Sequence, residues 1–179
     1  FVDAGTGTPG PFELKRVDRE NNAHKSAEYL KMNPNGLIPV LVDGELVLYE
    51  TAAIVLHLVD THPSAGLAPA VGTAERAAFY KWLIWMSSAV QPQFSIYFYT
   101  ERYVAPGNSG GATEVKALTE KRIEGLIDQI DAQLASHGGP WLMGESFSAL
   151  DPYALMLCRW TRSAQRPART LPHVGPYLQ

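Results

Sequence analysis

The sequence predicts a protein in two parts, an α/β part followed by an all-helical part. Strand-length apolar runs and a hairpin signal occur before residue 50, whereas apolar residues recur with helical spacing after residue 70. A stretch rich in proline, glycine and alanine separates the two patterns. We therefore expect one domain at residues 1–63 and a second at 71–179, joined by a linker at 64–70.

Composition narrows the class of protein. With 46% hydrophobic and 18% charged residues among 179, the chain has the makeup of a folded globular protein. Its net charge of −3, and the lack of any run of roughly 20 apolar residues, argue against nucleic acid and membranes as partners. Its one cysteine, Cys158, excludes an intramolecular disulfide and fits a reducing, cytoplasmic location. The five histidines lack the spacing of a metal site, so no metal is expected.

The first part is predicted to contain a β-hairpin with helices on either side. Asp43-Gly44 between two apolar runs is the strongest short-range signal for a hairpin. Before it, residues 12–17 alternate between apolar and polar side chains in the manner of a half-buried strand. The predicted elements are a strand at 12–17, a helix at 24–32, strands at 40–42 and 45–48, and a helix from 50 to 61.

Two dipeptides indicate a binding site, one directly before the first strand of this hairpin and one directly after the second. Pro39 cannot donate a ladder hydrogen bond, so it belongs at a strand entrance, where a cis Ile38–Pro39 bond is expected. The backbone of Ile38 would then face outward, free to pair with an extended ligand. The helix that begins at Glu50-Thr51 would offer unpaired N–H groups to an anion. These features suit a small peptide that carries a carboxylate; the alternative is a rigid strand entrance beside an acidic helix cap, with no ligand.

The second part is predicted to consist of helices. The first is long and contains Pro92, which removes a hydrogen bond and clashes with the preceding turn, so we expect a kink there. The last begins at a capping box, in which the Ser148 hydroxyl accepts from the N–H of Asp151 and the Asp151 carboxylate accepts from the N–H of Ser148. The predicted helices cover residues 73–103, 114–136 and 148–163, with a loop at 106–111.

Two motifs in this order resemble those of the cytosolic glutathione transferases. The run NPNGLIPVL, from Asn33 to Leu41, resembles the family's N-P-x-G-x-[IV]-P-x-L. The following ETAAI, from Glu50 to Ile54, resembles [EQ]-S-x-A-I with threonine for serine, and Gly144 to Asp151 resembles the second signature, G-x-x-[FYW]-[ST]-x-A-D. The resemblance implies a thioredoxin-like, glutathione-binding first domain and an all-helical second domain. It also implies attack of glutathione thiolate on small electrophiles, a reaction used in detoxification.

The resemblance also assigns roles to the predicted site. Ile38, fixed by Pro39, would pair through its backbone with the cysteinyl part of glutathione. Glu50 would take the ammonium of the γ-glutamyl end, and the hydroxyl and backbone N–H of Thr51 would take its carboxylate. Glutathione would then be the co-substrate of the protein.

The long helix distinguishes this chain from the beta class of bacterial glutathione transferases. That class carries an Asn, a Glu and a His that reach glutathione, at the positions of Ile84, Ala89 and Gln91 here. These departures remove polar groups and indicate a related but distinct bacterial class. Gln91 and Tyr97 are candidates for the pocket of a hydrophobic electrophile, although an aromatic residue on a helix is more often a core residue.

Part of the family pattern is not found in the chain. In the family, a first strand is followed by a catalytic Tyr, Ser or Cys, whereas residues 1–5 resemble the end of the next helix. We therefore expect the first strand, the catalytic residue and the C-terminal end of the family fold to lie outside this sequence. The catalytic residue stays unassigned. Two alternatives stay open: a non-catalytic scaffold, or other glutathione chemistry such as isomerase, dehalogenase, ether-cleaving lyase or peroxidase activity.

Aromatic residues around the long helix predict a homodimer. They occupy more faces of the helix than one intramolecular core can use, and large exposed apolar patches usually mark an interface. In the family, the first domain of one subunit pairs with the long helices of the other. The alternative is that segments outside the sequence cover these residues, which are Trp82, Trp85, Phe94, Tyr97, Phe98 and Tyr99.

Overall fold

A computed structural model describes residues 12–179 of the chain. The chain divides into two compact units, one that ends at Gly66 and one that begins at Leu67. The interpretation of residues 1–5 as the end of a helix lies outside the described residues. The assignment of domains at 1–63 and 71–179 stays a prediction.

The first unit is built on a two-stranded antiparallel sheet with helices before and after it. The predicted helix at 24–32 is divided at Ser26, whose hydroxyl accepts from the N–H of Tyr29 at 3.2 Å and so caps the helix that follows. The elements are a 3₁₀ turn at Ala23–Lys25, α1 at Ala27–Met32, β1 at Val40–Asp43, β2 at Leu46–Tyr49, α2 at Thr51–Thr61 and a 3₁₀ turn at Pro63–Ala65.

The hairpin turn lies one residue later than predicted. β1 and β2 pair from Val40 opposite Tyr49 to Asp43 opposite Leu46, so the two-residue loop is Gly44-Glu45 rather than Asp43-Gly44. Gly44 has a φ of +58°, and the non-glycine residues with positive φ do not include Glu45. A glycine with positive φ in the first loop position only is the pattern of a type II′ turn, whose twist matches the flanking strands.

The predicted strand at residues 12–17 is wrong within the described part of the chain. The sheet of residues 12–179 contains β1 and β2 alone, and no strand is assigned at 12–17. Alternation of apolar and polar side chains suits a strand, but a strand also needs a neighbour to accept and donate its backbone hydrogen bonds. Of these six residues only Val17 is partly buried.

The second unit is all-helical and holds the main apolar core. None of the helices in residues 12–179 is long and apolar enough to cross a membrane. The elements are α3 at Ala74–Trp85, a π-helical turn at Met86–Val90, α4 at Gln91–Phe98, a 3₁₀ turn at Thr100–Tyr103, α5 at Ser109–His137, α6 at Leu150–Trp160, 3₁₀ turns at Thr161–Ser163 and Ala168–Thr170, and α7 at Val174–Tyr177. Fully buried side chains of this unit include Phe79, Leu83, Met86, Val90, Phe94, Ile130, Leu142, Leu150, Leu157 and Val174. The predicted fold class, an α/β unit followed by an all-helical unit, is confirmed.

The long first helix of this unit is interrupted where Pro92 predicts. In a regular helix the ring of Pro92 would clash with the carbonyl of Ser88. The chain avoids this clash with the π-helical turn at Met86–Val90, in which the N–H of Gln91 donates to the carbonyl of Met86, five residues earlier. π-turns of this kind accommodate a proline without ending the helical path.

The helix α5 begins earlier than the predicted residue 114, so the predicted loop at 106–111 is wrong in its second half. Asn108 caps the helix, because its Oδ1 accepts from the N–H of Gly111 at 2.9 Å. This cap offsets the low helix propensity of Gly110 and Gly111, which favoured a loop in the sequence. The helix ends at Gly138, whose φ of +68° suits a glycine cap.

The start of α6 confirms half of the predicted capping box. Oδ2 of Asp151 accepts from the N–H of Ser148 at 2.7 Å, as expected. The Ser148 hydroxyl does not accept from the N–H of Asp151; it donates to Oδ2 of Asp151 at 3.1 Å and accepts from the N–H of Leu150 at 3.3 Å. The hydroxyl is therefore drawn to the buried carboxylate, and the helix begins at Leu150 rather than 148.

Candidate functional site

The two predicted binding dipeptides lie at the same end of the hairpin. The last pair of the hairpin is Val40 with Tyr49; Ile38-Pro39 directly precedes it on β1, and Glu50-Thr51 directly follows it on β2. The Ile38–Pro39 bond is cis, as predicted. Ile38 is 47% exposed, and no hydrogen bond of its backbone N–H or C=O is found among residues 12–179. At this end of the hairpin, the unbonded backbone N–H and C=O of Ile38 and the start of a helix thus flank the last strand pair.

Glu50 has an unusual backbone conformation at the start of α2. Its φ of 74° and ψ of 115° lie outside the regions that residues with a side chain usually occupy. No side chain caps the helix, which begins at Thr51. The first N–H groups of a helix have no intrahelical acceptor, and together with the helix dipole they attract an anion. A carboxylate could therefore be held by these N–H groups and the Thr51 hydroxyl, with the exposed Glu50 side chain close by to take an ammonium group.

The loop before Ile38 is held by two side chains that the sequence analysis did not single out. The hydroxyl of Tyr29 and the side-chain amide of Asn33 both donate to the carbonyl of Leu37, each at 2.8 Å. Burial raises the pKa of Tyr29, which keeps its hydroxyl protonated as a donor. In the sequence the Asn33-Pro34 pair signals a helix end and opens the NPNGLIPVL motif, but neither signal predicts a hydrogen bond from its side chain to Leu37.

The far end of the hairpin is tied to α2 by a polar pair. Nε2 of His57 lies 3.1 Å from Oδ2 of Asp43. Asp43 is the last residue of β1, whereas His57 lies in the middle of α2. The hairpin is therefore connected to α2 through the chain at Glu50 and through this pair at its other end, which fixes the angle at which the helix start meets the sheet.

The two candidates for an electrophile pocket both lie on α4 in the second unit. The hydroxyl of Tyr153 donates to Oε1 of Gln91, and no hydrogen bond from Nε2 of Gln91 is found in the described part of the chain. Tyr97 is buried, with Nζ of Lys116 5.1 Å from the centre of its ring. Burial, and secondarily Glu120, raises the pKa of Tyr97. The site role of both residues stays a prediction.

Cys158 is a core residue of the second unit. It lies in α6 with 2% of its surface exposed. Burial in apolar surroundings raises the pKa of its thiol to about 12, so the thiolate is absent near neutral pH. Residues 12–179 contain no group of three or more His, Cys, Asp and Glu side chains placed to hold a metal ion.

Comparisons with known proteins give one family. A family model described as Glutathione S-transferase, N-terminal domain, matches residues 10–60. Glutathione S-transferase GST-4.5 of Xanthomonas campestris pv. campestris is 31% identical over 154 residues, which cover 86% of this chain and 72% of that protein. The solved ternary complex of BphK, a bacterial GST, is 30% identical, with a TM-score of 0.77 over 98% of this chain and 82% of that one. A sphingomonad glutathione S-transferase complexed with glutathione is 28% identical, with a TM-score of 0.69 over 84% of this chain and 70% of that one.

The fold and the relatives define the class of protein. A two-stranded hairpin flanked by helices, followed by an all-helical unit, is the thioredoxin-like plus helical arrangement of glutathione S-transferases. The chain belongs to the glutathione S-transferase family. The resemblance of its two motifs to that family is therefore confirmed.

Proposed function

We propose that this protein is a cytoplasmic glutathione transferase that conjugates glutathione thiolate to small electrophiles. The observation that carries the proposal is the end of the hairpin at the Val40–Tyr49 pair, which is flanked by the open backbone of Ile38 on one strand and by the start of α2 on the other. A small peptide with a carboxylate at one end matches this arrangement of groups. The complex of the sphingomonad relative with glutathione supports the same ligand.

Each group of the site has a proposed role in holding glutathione. The Ile38 backbone, set by Pro39, pairs with the cysteinyl peptide unit as a neighbouring strand would. The γ-glutamyl carboxylate lies at the N-terminus of α2 and accepts from the Thr51 N–H and hydroxyl, while Glu50 accepts from the ammonium group. Binding in this way fixes the position of the thiol, whose conversion to thiolate then determines the rate of attack.

The electrophile is proposed to bind against α4. The amide N–H of Gln91 would donate to a polar group of the electrophile, and the ring of Tyr97 would form part of the apolar wall. The hydroxyl bond from Tyr153 fixes the orientation of the Gln91 amide. An exchange of Gln91 for alanine should raise the KM for the electrophile and leave the KM for glutathione unchanged.

Calorimetric titration of the purified protein with glutathione tests the binding part of the proposal. Glu50→Gln keeps the size of the side chain and removes its charge, so the Kd should rise at least about tenfold, the range for a lost charge-assisted bond. Glu45→Gln is the matched control, because Glu45 is an exposed glutamate at the other end of the hairpin. Absence of binding by the unchanged protein at millimolar glutathione would contradict the proposal.

Turnover separates conjugation from the alternatives. The protein is expected to join glutathione to an activated aryl halide, with loss of halide and formation of a thioether. A protein that binds glutathione but turns over peroxides, disulfides or isomerisable substrates instead would retain the site and change the reaction. Binding without any turnover would favour a scaffold.

We also propose a two-fold homodimer. Two of the aromatic residues behind this expectation are core residues, since Trp82 and Phe94 are 8% and 1% exposed. The support comes instead from apolar side chains that remain at the surface, which are Tyr80, Ile84 and Phe98, at 38%, 51% and 46% exposure. Light scattering at micromolar concentration should give twice the chain mass of 19.6 kDa. A monomeric mass would contradict the dimer.

A further inference from the structure

We infer that Tyr29 and Asn33 are positioning residues for glutathione: by holding the carbonyl of Leu37 they fix the Ile38 backbone that receives the peptide. The inference rests on the proposed function and concerns residues behind the site. Tyr29 and Asn33 are 7% and 2% exposed, so neither can contact a ligand directly. Their effect on binding must therefore pass through the loop.

The hydrogen bonds to Leu37 use the full capacity of its carbonyl. A carbonyl oxygen has two lone pairs, and here it accepts one hydrogen bond from the Tyr29 hydroxyl and one from the Asn33 amide, both at 2.8 Å. The two donors come from α1 and from the residue that ends it. The peptide unit between Leu37 and Ile38 is therefore fixed in orientation, and the open N–H of Ile38, which belongs to the same planar unit, is fixed with it. The open C=O of Ile38 belongs to the next peptide unit.

Asn33 also fixes the loop that leads to Leu37. Its Oδ1 accepts from the N–H of Asn35 at 3.0 Å, and its backbone carbonyl accepts from the N–H of Gly36 at 2.9 Å. Gly36 has a φ of +60°, and a side chain there would meet the carbonyl of His24 at 2.9 Å. The loop is thus held by hydrogen bonds from Asn33 and by the packing of Gly36, up to the open backbone of Ile38 at its end.

A loop held in this way lowers the cost of binding an extended peptide. A flexible loop loses conformational entropy when it pairs with its ligand, whereas a loop that is fixed in the folded protein has already lost this entropy during folding. Releasing the Leu37 carbonyl should therefore weaken glutathione binding even though no contact with the ligand is removed. The same change should leave the electrophile unaffected, because its proposed residues lie on α4.

Two conservative variants test the inference. Tyr29→Phe removes the hydroxyl and keeps the ring, and Asn33→Asp removes the amide donor and keeps the Oδ1 acceptor. Tyr29→Phe should raise the Kd for glutathione about fivefold, the effect of one net hydrogen bond. Asn33→Asp should raise it further, because its buried carboxylate oxygen faces the Leu37 carbonyl oxygen and repels it. Ser26→Ala is the control, because it removes the cap of the same helix without touching Leu37. It should lower the melting temperature and leave the Kd near that of the unchanged protein.

The readouts separate positioning from a merely structural role. Calorimetry with glutathione is run at a temperature where circular dichroism shows every variant to be folded. The expected result is a higher Kd and a higher KM for glutathione in Tyr29→Phe and Asn33→Asp, with kcat and the KM for an aryl halide unchanged. If Ser26→Ala weakens binding as much as they do, or if they bind as tightly as the unchanged protein, the inference is wrong and the proposed function stands. If the unchanged protein does not bind glutathione, the proposed function itself is wrong, and the inference with it.

Discussion

The hydroxyl of Tyr177, in the last helix, donates a hydrogen bond of 2.9 Å to Oδ1 of Asp151, in the first turn of α6. The same oxygen accepts from the N–H of Leu142 at 2.8 Å, and the other oxygen accepts from the N–H and hydroxyl of Ser148. Asp151 is 3% exposed. The buried carboxylate of α6 therefore joins this helix to the segment before it and to α7, because its charge is satisfied by donors from both.

Removing this charge should destabilise the second unit strongly. Asp151→Asn puts an amide donor opposite N–H groups, so several buried donors lose their acceptor, and the free energy of unfolding should fall by about 3 kcal/mol or more. Tyr177→Phe removes one donor and should cost about 1 kcal/mol. Urea unfolding followed by circular dichroism measures both. Equal costs for the two variants would contradict the central role of the carboxylate.

Stability should also depend on Tyr177 at alkaline pH. Burial, and then the neighbouring Asp151 carboxylate, raise the pKa of Tyr177 above its ordinary value of 10.0. The folded protein therefore favours the protonated phenol. The contribution of Tyr177 to the free energy of unfolding is complete below about pH 10 and is lost as the pH rises above that value. The free energy of unfolding should fall more steeply between pH 9 and 11 in the unchanged protein than in Tyr177→Phe, by at most about 1.4 kcal/mol per pH unit. Identical slopes would contradict the prediction.

Cys158 should be inert in the folded protein. Because burial raises the pKa of its thiol from 9.0 to about 12, a disulfide reagent at pH 8 should find neither thiolate nor access to it. One thiol per chain should then react after denaturation in guanidinium chloride. Rapid reaction of the native protein would show that α6 opens locally and would contradict the assignment of Cys158 to the core.

Glu50→Gly should separate stability from ligand binding. Glycine adopts a positive φ without the steric cost that Glu50 bears, so the substitution should raise the free energy of unfolding by about 1 kcal/mol. It should also abolish measurable glutathione binding, because the carboxylate is lost. Asn22→Gly is the control: Asn22 is the other described non-glycine residue with positive φ, at 56°. That variant should keep its affinity for glutathione. A destabilised Glu50→Gly protein would mean that its side chain supports the fold.

Local sequence signals predicted most of the fold. They failed where an element depends on a hydrogen-bonding partner that the pattern does not reveal. The hairpin, α2 and the interruption near Pro92 follow from turn residues, periodicity and the chemistry of proline. The segment at 12–17 has the alternation of a strand, but alternation does not supply a neighbouring strand. The start of α5 was placed too late because Gly110-Gly111 weigh against a helix, while the cap from Asn108 outweighs them.

The sequence predicted the residues of the candidate site that would contact a ligand, but not the buried residues behind them. Ile38, Pro39, Glu50 and Thr51 lie in motifs whose backbone chemistry can be read locally. Their position at one end of the hairpin follows from the pairing of the strands, which the length of the loop sets. Behind them, Tyr29 lies in no motif, and Asn33 opens the NPNGLIPVL motif without a role that can be read from it. Their bonds to Leu37 exist because the chain folds back at Gly36, and no periodicity signals that.

The π-helical turn between α3 and α4 determines the directions in which the side chains of α4 point around the helix axis. A turn with one extra residue displaces the later side chains by about 100° around the axis from where an unbroken α-helix would present them. Phe94, which follows this turn, packs its ring against Trp160, with their centres 5.4 Å apart. Residues 86–90 are therefore a spacer of fixed length. Substitution of a side chain in this segment leaves the spacing unchanged, whereas deletion of a single residue would alter it.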